Sequence, residues 1–337
     1  MHDTFNLISS YIPPKRLYSA AKICLDYRLS LLLKRSIVTA HPLALMIEPT
    51  NICNLSCPLC PSGSGELKRA RGMMDLKLFK DITDEVHHAI GMFILWNQGE
   101  PYLNPDFNEM ARYASSKGIY TMTSTNGSLP LNPEEIIESG LSRIIFSLDG
   151  TKPESYEQYR MGGDFDLVLR NISELARLKR IRKSKTPYIV WQFILMSHNE
   201  SEIDKAKEMA KQIGVDKLEF KTVQIYEPKD IAFLPSKHQF SRYKHNKDKF
   251  EIKTRLLNRC RRLWTQPVIN WDGELAICCY DKDLIFPIGN IKDHSFLSLW
   301  KSRKMNNIRR SILCSRKDIE ICRNCGEGIV QKIKLRS

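Results

Sequence analysis

Between residues 43 and 223, short apolar runs alternate with helical patterns, and this alternation limits the fold more than any other feature of the chain. Strands are expected at 43–48, 92–96, 120–124, 143–148, 188–196 and 217–223, each a brief apolar run bounded by turn residues. Between them lie helical stretches at 75–89, 105–117, 133–139, 165–182 and 202–213. The first of these helices has an Asp as its N-cap and places Leu78, Phe79, Ile82 and Val86 on one face. Strands linked through helices pair in parallel by right-handed crossovers. Such a sheet collects its functional residues at the C-terminal strand ends. An open doubly wound sheet and a barrel satisfy the pattern equally.

The strand ends carry the chemistry. The first leads into Cys53-Asn54-Leu55-Ser56-Cys57-Pro58-Leu59-Cys60, three thiols at C-x3-C-x2-C spacing. Thiols so close reach one small centre from a single loop, and thiolate suits iron–sulfur clusters and zinc. A [4Fe-4S] cube held by three thiolates keeps one iron open for a substrate or cofactor, whereas a structural zinc site would need a distant fourth ligand. The second strand ends in Asn97-Gln98-Gly99-Glu100-Pro101, where a carboxylate beside a glycine can receive an ammonium group. Ser124 and Asn126 end the third strand, and Ser147 and Asp149 the fourth. All four are also ordinary turn residues, since Asn-Gly and Asp-Gly are turn signals in any protein.

The segment Ile47-Glu48-Pro49-Thr50-Asn51 followed by the three cysteines resembles the cluster loop of the radical S-adenosylmethionine (SAM) enzymes. The resemblance implies a partial (β/α)6 TIM-like barrel, with Cys53, Cys57 and Cys60 on a [4Fe-4S] cluster and SAM chelated at its open iron. It implies reductive cleavage of SAM to a 5′-deoxyadenosyl radical, with an electron donor such as flavodoxin or ferredoxin as partner. Gly99, Glu100 and Pro101 resemble the GGEP motif that binds the SAM amino group, with Gln98 in place of its first glycine. Ser124, Asn126, Ser147 and Asp149 resemble the positions that contact the SAM ribose or carboxylate. Leu59 stands where the family often has an aromatic residue.

After residue 236 the alternation stops, and 236–256 is charged and poor in apolar residues. Cys260, Cys278, Cys279, Cys314, Cys322 and Cys325 follow, with an Asp272-Gly273 hairpin signal that would bring Cys260 and Cys278 together. The run from Cys260 through Gly273-x4-Cys278 to Cys322-x2-Cys325 resembles the SPASM or twitch domains of radical SAM enzymes. It implies one auxiliary [4Fe-4S] cluster on Cys260, Cys278, Cys322 and Cys325, and zinc on the same four is the alternative. The expected organisation is a helical extension over 1–42, the barrel over 43–235 and a cysteine-rich domain over 236–337.

A second cluster near the substrate can accept the electron left after hydrogen abstraction, which points to a net oxidation; the resemblance implies a sugar or cyclitol alcohol, or a ribosomal peptide or protein side chain, as its substrate. A redox-neutral epimerase using Cys279 or Cys314, and a non-catalytic iron–sulfur or zinc protein, are the alternatives. Gln192, His198, Lys221 and Tyr226 are cavity candidates by position. The net charge of +14 favours anionic partners, with no nucleic-acid motif behind it. Ten cysteines without a signal peptide lead to an expectation of a reducing cytoplasm. Over 15–35, Leu17, Ala20, Cys24, Tyr27 and Leu31 form a helical stripe with Lys22, Arg28, Lys34 and Arg35 off it. Docking of that stripe on the enzyme body is expected, ahead of membrane contact through Leu29, Leu31, Leu32 and Leu33.

Overall fold

A computed structural model describes residues 2–246, 249–253 and 255–326; the end of the expected C-terminal domain, 327–337, lies outside the described residues. Six parallel strands form in chain order: β1 (Ala44–Ile47), β2 (Met92–Ile94), β3 (Tyr120–Thr125), β4 (Arg143–Ser147), β5 (Tyr188–Leu195) and β6 (Lys217–Thr222). Each pairs with the next, and the helices Leu76–Val86, Phe107–Ser116, Pro133–Glu138, Phe165–Ile181 and Ile203–Ile213 fill the crossovers. This is the partial barrel of the radical SAM type.

Strand alternation sorts the side chains. Leu45, Ile47, Phe93, Leu95, Ile144 and Phe146 face the helices in the main core. Ala44, Met46 and Ile94 point the other way and pack in the barrel interior, with Met92 and Met122 against them. The helix Leu76–Val86 starts where expected, because Asp75 accepts hydrogen bonds from the N–H groups of Lys77 and Leu78.

A hairpin (β7, Tyr243–His245; β8, Phe250–Ile252) lies within the charged stretch read as a connection. The expected hairpin around Gly273 forms as β9 (Val268–Ile269) and β10 (Leu275–Ala276). It continues the barrel sheet, with β9 running parallel to β1. The cysteine-rich segment is therefore seated directly beside the strand that feeds the cluster loop.

The extension forms two helices, α1 (His2–Ser9) and α2 (Pro14–Leu33). The α2 stripe docks only in part: Tyr27 and Leu31 pack on the core, but Leu17 stays 58% exposed. The buried positions of α2 are Arg16, Ser19, Ile23, Asp26 and Ser30, so the helix meets the body mainly through polar groups.

Candidate active site

The first three thiols lie on one loop at the C-terminal end of β1, near enough for their charges to couple. Cys60 N–H donates to the Cys57 carbonyl at 3.1 Å, which closes the turn between them. Cys57 is buried, and Cys53 and Cys60 are half-buried. Burial pushes the Cys53 thiol up to about 11, and the nearby Glu100, Cys60 and Cys57 add to the rise. Burial also raises Cys57, while Arg160, whose Nη1 stands 3.9 Å from its sulfur, opposes the rise. Thiols held this way become thiolates when a metal binds them.

Two glycines give the loop its room. A Cβ on Gly63 would stand 2.7 Å from the Cys57 nitrogen, and one on Gly99 would stand 2.6 Å from the Ile52 carbonyl oxygen. Gly99 also has φ +74°, so its place against the loop excludes a side chain on two grounds.

The strand-end residues expected to meet SAM are brought together, with differing roles. Glu100 is buried, and its oxygens accept from Thr125 Oγ1 at 2.7 Å, Asn126 N at 2.7 Å and Tyr102 N at 3.2 Å. Burial pushes its carboxyl up to about 7 against those donors. Its carboxylate thus ties the β2 end to the β3 end, while Asn97, Gln98 and Gly99 face the cavity. Pro101 is buried and opens a short 3-10 turn. Asn126 donates to Asn54 Oδ1 at 2.8 Å and stands 3.8 Å from the Cys53 sulfur. Ser124 and Ser147 meet at 3.4 Å. Asp149 is fully buried; one oxygen takes Arg160 at 2.6 and 2.7 Å and the other takes Ile194 N. Burial works against the Arg160 charge, but Asp149 and then Cys57 outweigh it and raise its pKa well above the ordinary value. Arg160 is a positive group aimed at the cluster loop that no spacing in the sequence marked.

Glu48 was also not singled out for a role. It forms a buried ion pair with Arg69 at 2.9 Å and accepts from Asn97 Nδ2 at 2.9 Å. Arg69 Nε in turn donates to the Lys282 carbonyl at 2.6 Å, which links the β1 end to the cysteine-rich segment.

There, Cys278 stands near enough to Cys260 and Cys325 for their charges to couple, as Cys322 does to Cys325 and Cys260. Burial raises Cys278 and pushes Cys322 up to about 11. Arg316 supplies the counter-charge to Cys325, Cys260 and Cys322. Each group of thiols therefore has its own arginine. Among the described residues, no three His, Cys, Asp or Glu side chains stand within reach of a single metal ion. Cys279 sits in a turn and lines the cavity, 2.7 Å from Arg262 Nη1. Cys314 is exposed on the helix Arg303–Ser315, and Cys24 is half-buried on α2.

A cavity of about 820 Å3 occupies the barrel mouth. Met46, Met92, Ile94 and Met122 form its floor; Cys60 stands on one side and Cys279 and Tyr280 on another. Gln192, Lys221 and Tyr226 line it as expected from position, whereas His198 does not. Asn97 lines it too, and its Oδ1 is buried without a partner, ready for a bound donor. Past β6 the chain alternates: Val223 and Ile225 are buried, and Gln224 and Tyr226 face the cavity.

Residues 47–213 match the radical SAM superfamily, and residues 260–326 match the SPASM iron–sulfur cluster-binding domain. The chain belongs to the radical SAM superfamily. It is an enzyme whose cofactors are SAM and a [4Fe-4S] cluster, with a further iron–sulfur site in its SPASM domain. An AdoMet-dependent heme synthase of Methanosarcina barkeri is 31% identical over 180 residues, 52% of this chain and 49% of the relative. Mycofactocin maturase MftC of Mycobacterium ulcerans is 31% identical over 176 residues, 51% of this chain and 45% of the relative. The chain thus spans about half the length of these curated relatives. Streptococcus suis SuiB bound to its precursor peptide SuiA shares the fold, with TM-score 0.63 at 15% identity over 92% of this chain and 74% of SuiB. Among the described residues, no helix is long and apolar enough to cross a membrane.

Proposed function

We propose that this radical SAM enzyme oxidises an anionic substrate held in the barrel mouth between two iron–sulfur clusters. The observation that carries the reading is the cavity itself, which has Cys60 of the first thiol group in one wall and the turn that follows Cys278 of the second group in another. Cys53, Cys57 and Cys60 hold the first cluster with one iron open, and Cys260, Cys278, Cys322 and Cys325 hold the second with a full set of thiolates. Bound there, the first cluster and SAM would supply hydrogen-atom abstraction from the substrate, and the second cluster would accept the remaining electron as the substrate gives up a proton to solvent. Asn97, Gln98 and Gly99 receive the amino end of SAM, and Ser124, Asn126 and Ser147 its ribose and carboxylate. Asp149 positions Arg160, which balances the charge gathered at Cys57.

The lining supports the substrate class. Among the described residues it carries Arg242, Arg262, Lys282 and Lys221, the last paired with Glu219 behind the wall at 3.3 Å, and no carboxylate. Arg242 is held by the Thr222 hydroxyl and carbonyl at 2.8 Å, and Lys282 by the Tyr226 hydroxyl at 2.6 Å. Neutral partners leave those positive charges to a ligand. Gln192, Gln224 and Gln266 add amide groups suited to hydroxyls. A phosphorylated or carboxylated polyol fits this wall better than a neutral peptide.

The test is anaerobic reconstitution with iron and sulfide counting and a SAM cleavage assay. Wild type should hold about eight irons, and a Cys53/Cys57/Cys60→Ala variant about four, with 5′-deoxyadenosine made by wild type alone. Zinc in place of iron, with SAM left intact, would overturn the reading.

One observation favours a redox-neutral reaction in the same site: Cys279 faces the cavity, where a thiol could return a hydrogen atom. A Cys279→Ala variant that keeps its iron and cleaves SAM but yields no product, together with deuterium from heavy water in the wild-type product, would select epimerisation over oxidation.

A further inference from the structure

The N-terminal helices carry a row of large apolar side chains on their outer side. On α2, Leu17, Ala21, Leu25, Arg28 and Leu32 recur at helical steps along the exposed side. Leu17 is 58%, Leu25 55% and Leu32 76% exposed. On and just after α1, Phe5, Ile8 and Ile12 are 60–66% exposed. The opposite side of α2 is anchored by polar contacts. Arg16 donates to the carbonyls of His87, Lys117 and Gly118, and Asp26 accepts from the Thr39 N–H and hydroxyl. Leucines aligned on one exposed helix face, with Phe5, Ile8 and Ile12 exposed on the adjoining segment, are large apolar groups of the kind that mark a face meeting an apolar medium.

The charges identify that medium. Lys15, Arg28, Lys34 and Arg35 are exposed and Lys22 is half-exposed along the same segment. Its two carboxylates are both used internally, Asp3 on Arg143 and Asp26 on Thr39. A second copy of the chain docked on this face through a two-fold axis would set cation against cation. An anionic surface with an apolar interior satisfies both features. Tyr18, 64% exposed with Lys22 Nζ 3.2 Å from its hydroxyl, is the residue type that settles at a bilayer interface.

We infer that α1 and α2 form an interfacial anchor that lays this enzyme on an anionic lipid bilayer, with the leucine face of α2 in the acyl boundary and its lysines and arginines among the headgroups. Neither helix is of a kind that spans the bilayer.

The test is cosedimentation of the full chain with vesicles of phosphatidylcholine alone or mixed with phosphatidylglycerol. Wild type should partition onto the mixed vesicles about tenfold more tightly than onto the neutral ones, with binding that falls as salt rises. Leu25→Asp/Leu32→Asp should reduce partitioning about tenfold or more, and Lys15→Gln/Lys22→Gln/Arg28→Gln should remove the salt dependence. Leu25→Gln/Leu32→Gln serves if the Asp pair lowers helicity or iron content, and should weaken binding in the same direction. Wild type that stays in the supernatant at every lipid concentration would overturn the inference. So would leucine variants that bind like wild type, or a dimer in sedimentation equilibrium that those variants dissociate while vesicles capture nothing.

Discussion

Asp149→Asn isolates the ion pair behind the cluster loop. The carboxylate is fully buried, Arg160 has a side chain only 14% exposed, and they meet through two contacts of 2.6 and 2.7 Å on one oxygen. Asparagine keeps an acceptor for Ile194 N but removes the negative charge, so Arg160 remains buried beside the Cys57 thiol and the Tyr159 ring without its direct ion-pair partner. Stranding one member of a buried pair costs about 3 to 5 kcal/mol. With a urea slope near 3 kcal/mol per molar, the apparent midpoint should fall by about 1 to 1.7 M. Arg160→Met should destabilise by a similar amount, since it strands Asp149. The double variant Asp149→Asn/Arg160→Met should cost less than the sum, with a coupling of about 2 kcal/mol or more. Because Arg160 also faces Cys57, the variants that lose it should shift the reduction potential of the first cluster, followed by an EPR-monitored titration. An Asp149→Asn midpoint within about 0.5 kcal/mol of wild type would refute the assignment of Asp149 as the support of Arg160.

Other perturbations reach different parts of the molecule. Gly99→Ala places a Cβ 2.6 Å from the Ile52 carbonyl at a φ of +74°, so reconstituted iron should fall toward that of the triple-cysteine variant; full iron retention and SAM cleavage would contradict the close approach. Arg242→Gln or Lys282→Gln should each raise KM for an anionic substrate about tenfold while leaving uncoupled SAM cleavage unchanged; equal effects on a neutral analogue would remove the charge argument. His41 has its pKa lowered to about 4 by burial, then by His88 and Lys301. The folded protein therefore binds fewer protons there than the unfolded chain, so the stability involved is intact above pH 6.5 and is lost as pH falls toward 4. A His41→Gln variant should show a shallower loss of urea midpoint over that window, and an unchanged slope would exclude His41 as a contributor.

How far the sequence could be read depends on how local each feature's cause is. The six strands were legible because buried parallel strands write their burial as continuous apolar runs. The thiols were legible because one loop carries all three within eight residues. Arg160 was not, because its contact with Cys57 spans 103 residues and leaves no periodic trace. The contacts of Glu100 with Thr125 and Asn126 leave no mark in the sequence, because that pairing exists only once β2 and β3 lie side by side.

The α2 stripe docks only in part, for a more instructive reason. An amphipathic pattern predicts the buried face from hydrophobicity, which assumes that the body offers an apolar surface. Here the body offers helix ends: Arg16 reaches the carbonyls of His87, Lys117 and Gly118, just past Leu76–Val86 and Phe107–Ser116. Unsatisfied carbonyls at helix C-termini carry partial negative charge and attract a cation. Arg16 thus wins the inner position from Leu17 by electrostatics, and the next residue is turned outward as a consequence. Loss of that cation should reverse the choice: in Arg16→Leu the carbonyls lose their donor, the α2 register loosens, and Leu17 becomes accessible to burial. Hydrogen exchange across α2 should then quicken in the variant while exchange in β1 to β6 stays as in wild type. Unchanged protection of α2 would mean that Asp26 and Ser30, bound to Thr39 and Trp264, hold the helix without Arg16.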